Sequence, residues 1–165
     1  MLSYQEIIVR MVASLVVGLI IGYERSRRQK PAGLRTYALV CIGSTLFMII
    51  SAYGMQAVPN LSVLKADSLR MDPGRVAAQI VTGIGFLGAG MIWKERGTVR
   101  GLTTAANLWV TAGMGMALGL GLYFLTLVSV TCIFAALYSP TVLCRLGLLR
   151  YQDEDQQKKS VVDNY

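Results

Sequence analysis

Apolar runs long enough to cross a bilayer alternate along this chain with short, mostly basic segments. The first run covers about 7–23, with a single charge inside it, Arg10, and Ser14, Gly18 and Gly22 at four-residue spacing. Small residues at that interval form a face on which a second helix can approach closely. ERSRRQK follows from Glu24 to Lys30, and Pro31-Ala32-Gly33 breaks the helix before a second run at about 36–55. A loop from Val58 carries Lys65, Asp67 and Arg70. The third run, about 73–93, opens with Asp72 as N-cap and Pro73 at the first helical position, where its missing N–H costs nothing.

KERGTVR, from Lys94 to Arg100, separates that run from positions 101–144, which hold no charge at all. These 44 residues are too many for one span of about 20 and suit two spans with a turn. Both ends are basic and therefore belong on the same side, which requires an even number of crossings. The fourth span is placed at about 101–118 and the fifth at about 124–144, giving a five-helix membrane domain over 1–148 and a short polar cytoplasmic tail over 149–165. The fold class expected is an all-α integral membrane protein. Twelve of the 16 basic residues then lie inside and four outside, so the N-terminus is expected outside and the C-terminus in the cytoplasm.

Composition agrees with that pattern. The chain is 54% hydrophobic and only 15% charged, with mean hydropathy +0.52. Its net charge of +7 comes from residues lying between apolar runs, where they orient a membrane protein and form no basic patch for nucleic acid. Glu6 precedes Arg10, with no basic leader region, so the first helix reads as retained. Cys41, Cys132 and Cys144 are odd in number and sit in apolar runs, which offers no disulfide framework. Histidine is absent, so the usual general base is missing.

Candidate chemistry concentrates in the third and fourth runs. Arg75, Gln79, Thr82 and Phe86 share one helix face, with Gly83 and Gly90 along one edge and Ala78, Gly85 and Ala89 along the other. Thr103, Asn107 and Thr111 form a second stripe, and the two stripes are expected to face each other or a shared cavity. Gln79, Thr82 and Asn107 read equally well as packing glue, since interhelical polar contacts in membranes average only about 0.6 kcal/mol. Charges within a span are costlier, at roughly 2.5 to 3.5 kcal/mol. Asp72, Arg75, Arg10 and Gln79 are therefore expected to form an outer polar cluster. The plainer alternative is local pairing, Asp72 with Arg75 and Glu6 with Arg10. An inner counterpart would gather Glu24, Arg25, Arg35, Arg100 and Asn107. Gly18, Gly22, Gly83, Gly85, Gly88, Gly90 and Gly113 are the expected packing positions.

The stretches GYERSRRQKPAGLRTYALV (Gly22–Val40), DPGRVAAQIVTGIGFLGAGMI (Asp72–Ile92) and VRGLTTAANLWVTAGMGMALGLG (Val99–Gly121) resemble the membrane domain of the MgtC/SapB family. That resemblance implies a multi-pass bacterial inner-membrane protein of five spans, tied to growth under magnesium limitation and, in pathogens, to virulence through survival in host cells. It also implies a regulator of other membrane proteins, among them ATP synthase or a transport ATPase. The family's acidic position before Pro-x-Arg falls on Asp72, and its Glu-Arg at the end of span one on Glu24 and Arg25. Longer members carry a soluble ACT-like domain, whereas this sequence looks closer to the short YhiD-like members.

Three functions are distinguishable. A regulator would dock through the glycine faces, which also suit a homodimer. A Mg2+ transporter or channel needs oxygen ligands, and Mg2+ is held through one or two carboxylates; Asp72 with Asp67 supplies these only at the outer mouth, leaving Asp72 as the one weak metal position. An oligomer could instead line a hydrated pore with Gln79, Thr82, Thr111 and Asn107. An enzyme would need a Ser/Lys or two-Asp arrangement within the spans, or a P-loop, and the sequence has none. The expectation is a non-enzymatic regulator in contact with lipids and other membrane proteins, without a cofactor, with cation transport as the alternative.

Overall fold

A computed structural model describes residues 2–57, 72–95 and 97–145. Five helices and one hairpin follow in order: α1 Tyr4–Arg27, α2 Leu34–Ala57, α3 Pro73–Gly90, β1 Trp93–Glu95, β2 Thr98–Arg100, α4 Leu102–Gly119 and α5 Tyr123–Arg145. Each expected span is a helix. By length and composition α1, α2 (over Leu34–Gly54) and α5 (over Tyr123–Cys144) are apolar enough to cross a membrane. The helices α3 and α4 are 18 residues each, or about 27 Å. The expected outer loop with Lys65, Asp67 and Arg70, and the tail from 149, lie outside the described residues.

Local chemistry sets the helix ends. Glu6 accepts the Ser3 N–H at 3.0 Å, so it caps α1 instead of pairing with Arg10. Ser26, the penultimate residue of α1, accepts the Leu34 N–H at 3.0 Å and thereby starts α2. Asp72 accepts the Gly74 N–H at 2.8 Å with Pro73 at the first helical turn, as the sequence indicates. The expected third span runs three residues too far, because Trp93 leaves the helix to begin an antiparallel ladder in which it pairs with Arg100. Gly101 closes that hairpin at φ 87°, where a Cβ would collide with the Met91 carbonyl.

The chain divides into a unit over Met1–Leu127 and a second over Val128–Tyr165. In the first, α1 and α2 form a tight antiparallel pair. A Cβ on Gly18 would meet Ala38 backbone at 2.6 Å, and one on Gly22 would meet Leu34 Cα at 2.7 Å. On its other side α2 runs parallel to α4, where Gly115 and Gly119 accept Ser44, Thr45 and Met48. Thr45 Oγ1 donates to the Gly115 carbonyl at 2.8 Å across this interface. Ile21, Tyr37, Cys41, Leu108, Ala112 and Leu118 fill the middle. Helix α3 leans on α4 and α2 and buries only Ile84 and Gly88.

Two expectations change here. The polar stripes of α3 and α4 do not face each other: Asn107 and Thr111 are buried, whereas Arg75, Gln79, Thr82 and Phe86 are all exposed. The stripe of α4 is itself divided: Thr103 is exposed, Thr111 donates to the Asn107 carbonyl at 2.8 Å, and the Asn107 side chain lies against Tyr37. Ile84, which α3 buries, lies on the opposite side of that helix from its stripe. Of the expected packing glycines, Gly18, Gly22 and Gly88 meet neighbours, while a Cβ on Gly83, Gly85, Gly90 or Gly113 would meet nothing within 4 Å. In the second unit α5 carries Pro140 within its helix and stacks Phe134 on Tyr138 at 6.3 Å.

Candidate functional site

Three helix ends meet in a buried polar junction. The last turns of α1 supply Glu24 and Arg25, the first turn of α2 supplies Tyr37, and the first turns of α4 supply Thr104 and Asn107. All five are buried, Tyr37 completely. Arg25 reaches Thr104, with Nη2 3.4 Å from Oγ1. Tyr37 donates its hydroxyl to the Thr104 carbonyl at 3.4 Å and lies within reach of the Arg25 and Asn107 side chains. Glu24 is held between two cations, Arg25 at 3.7 Å and Arg28 one turn on.

Burial makes this arrangement consequential, since a charge out of water is costly unless paired. One carboxylate faces two guanidinium groups, so the junction keeps a net positive charge on the side where α2 and α4 also present their positive ends. Arg25 Nε and Asn107 Nδ2 are buried without a hydrogen-bond partner.

Of the inner set expected from sequence, Glu24, Arg25 and Asn107 come together. Arg35 is exposed, and Arg100 pairs with Glu95 of the hairpin at 3.5 Å. Sequence reasoning places Thr104 beside the α4 stripe without assigning it to this set, and misses Tyr37, whose only signal is its position within the first turn of a span that begins beside a basic loop.

The outer set is split. Arg10 is buried, donates from Nη1 to the Gly119 carbonyl at 2.6 Å, and lies over the Tyr53 ring at 5.1 Å with Tyr123 beside it. It thus neutralises the carbonyl end of α4, where the helix dipole is negative. Asp72, Arg75 and Gln79 remain together on the exposed face of α3, and no hydrogen bond or ion pair joins them to Arg10. Among the described residues no three His, Cys, Asp or Glu side chains gather as metal ligands.

Between α2 and α3 lies a groove of about 470 Å³, walled by Leu39, Val40, Gly43, Ser44 and Phe47 on one side and by Val76, Gln79, Ile80, Gly83, Ile84 and Leu87 on the other. Ser44 and Gln79 are its hydrogen-bonding side chains. Both glycines leave open space where a side chain would stand.

The MgtC family model matches residues 11–146. The chain is 48% identical over 118 residues to the putative magnesium transporter YhiD of Escherichia coli K12, an alignment covering 72% of this chain and 53% of that protein. It is also 48% identical over 114 residues to protein MgtC of Salmonella typhimurium LT2, covering 69% and 43%. An uncharacterized protein of Haemophilus influenzae is 37% identical over 135 residues, covering 81% and 55%. No solved structure matches the chain. These relatives are matched over about half of their length, and identity to YhiD and to MgtC is the same. With apolar helices of membrane length and a family match across nearly all of the described residues, the chain belongs to the MgtC family.

Proposed function

We infer that this chain is a five-span inner-membrane protein, N-terminus outside, which regulates other membrane proteins during adaptation to low magnesium and carries out no chemistry of its own. The relative's name ties the family to magnesium, and the packing supports the five spans. Arg25 meets the start of α4 and Arg10 meets its end. These arginines are 15 residues apart on α1, or about 22 Å. A helix running beside α1 for that distance crosses with it, and α3 returns along α4.

The observation that carries the regulatory reading is the groove between α2 and α3. It is lined almost wholly by apolar groups and has Gly43 and Gly83 on facing walls. Small residues let a helix of another membrane protein approach closely, and Ser44 and Gln79 can hydrogen-bond it. The partners that the family resemblance implies are ATP synthase or a transport ATPase. Pull-down from native membranes tests this directly. Gly83→Leu and Gly43→Leu fill the groove from either wall and should each lose the captured membrane protein while the chain stays inserted; full retention with both would refute the docking site.

Transport is the second reading, favoured by the name of the Escherichia coli relative. Protein reconstituted alone in liposomes with an enclosed Mg2+ dye separates the two. Uptake that disappears in Asp72→Asn would establish transport and remove regulation as the primary role.

A further inference from the structure

We propose that α3 is the seam of a parallel, two-fold homodimer, an inference that rests on α3 crossing the membrane as read above. Asp72, Arg75, Gln79, Thr82, Phe86 and Ala89 succeed one another at intervals of three, four, three, four and three residues, and all six are exposed. That is the heptad spacing of a two-stranded helix seam. It lies on the opposite side of α3 from Ile84 and shares only Gln79 with the groove.

The face has the wrong polarity for lipid. A helix bordering lipid turns its apolar groups outward, and α3 does expose Val81, Phe86 and Leu87, but the stripe running through Phe86 also presents a guanidinium, an amide and a hydroxyl to the outside. Thr82 satisfies its hydroxyl on the Ala78 carbonyl at 3.0 Å. No described residue pairs with the Arg75 guanidinium or the Gln79 amide, and Asp72 uses only Oδ1, on Gly74. Unpaired polar groups facing hydrocarbon are costly.

A second copy satisfies all of them. Copies inserted with the same topology are related by an axis along the membrane normal, so their α3 helices run parallel and equal depths meet. Gln79 is both donor and acceptor and can pair with its own symmetry mate, as polar residues at such a seam position do when they set register and favour a pair. Asp72 and Arg75 stand one turn apart, so each Arg75 lies within reach of the carboxylate of the other copy. At equal depth Arg75 also faces its own symmetry mate, a like-charge contact that the diagonal Asp72 carboxylates offset.

Single cysteines in a Cys41→Ala, Cys132→Ser, Cys144→Ser background test the seam in native membranes. Oxidation should give disulfide-linked dimers from Thr82→Cys and Phe86→Cys, and none from Val76→Cys or Ile80→Cys, which lie toward the groove. Gln79→Leu should lower the Thr82→Cys dimer fraction at limiting expression by about 3- to 20-fold, with Gln79→Asn largely preserving it. Dimers from the groove positions instead, no dimers from any position, or indifference to Gln79→Leu overturns the proposal. A membrane-impermeant maleimide gives an independent reading: a protected Thr82→Cys thiol leaves α3 in the membrane whatever the cross-links show. Ready labelling removes both the span and the seam.

Discussion

Arg10 and Gly119, 109 residues apart in sequence, are joined by a hydrogen bond of 2.6 Å from the Arg10 guanidinium to the last carbonyl of α4. The same guanidinium lies over Tyr53, so one buried side chain ties α1 and α2 to the end of α4. Hydrogen bonds to charged groups contribute about 1.5 to 3 kcal/mol. Arg10→Leu should lose stability on that scale, read as a lower midpoint of thermal unfolding in detergent. Lysine has a single ammonium and no planar face, so Arg10→Lys should recover only part of the loss. An Arg10→Leu protein as stable as the parent would show that the clasp contributes nothing.

Glycines on α4 separate packing from open surface within two residues. A Cβ on Gly115 would run into the Cys41 carbonyl and Ser44, whereas one on Gly113 would meet nothing within 4 Å. Gly115→Ala should therefore push α2 and α4 apart and destabilise the protein by about 1 to 3 kcal/mol or more, as overpacking does. Gly113→Ala should leave stability within about 0.5 kcal/mol. Circular dichroism melts of the two purified variants distinguish them, and equal melting would show that the helix contact is not as close as described.

Helix number and order were legible in the sequence because hydropathy and the distribution of charge depend on residues near one another. Asp72 with Pro73, and Gly18 with Gly22, are likewise local signals, and their geometry is as expected. What neighbours each face is a long-range matter. The stripe of Asn107 and Thr111 could be recognised from spacing, but what the Asn107 side chain meets depends on Tyr37 arriving from another helix. The sequence places Arg10 in an outer polar cluster with Asp72, Arg75 and Gln79 because a charge within a span needs a partner; that partner is instead a helix-end carbonyl, a group every helix possesses and no sequence motif marks. The hairpin was hidden because a three-residue strand is shorter than any alternation it could display.

Tyr37 tests the buried junction without altering charge. Its hydroxyl is fully buried between the Thr104 carbonyl, Arg25 and Asn107. Tyr37→Phe keeps the ring and should cost about 0.5 to 1.5 kcal/mol, the ordinary worth of a hydrogen bond. Glu24→Gln should cost more than Tyr37→Phe, because it leaves the buried Arg25 without its anion. If thermal melts rank these two in the opposite order, the carboxylate is not what holds the junction together.

Asp72 has two separable roles, a cap for α3 and a charge beside Arg75. Asparagine caps a helix about as well as aspartate, while alanine does not, at a cost of about 1 kcal/mol. Asp72→Asn should therefore insert and melt like the parent, and Asp72→Ala should melt slightly lower. If the charge is what the protein uses, both variants fail equally to support growth of a deletion strain in low magnesium, despite their different stabilities. If instead Asp72→Asn supports growth and Asp72→Ala does not, the carboxylate matters only as a cap, and Arg75 needs no anion there. Growth assays paired with melts of the same two proteins decide between these outcomes, since each predicts a different order of the three proteins.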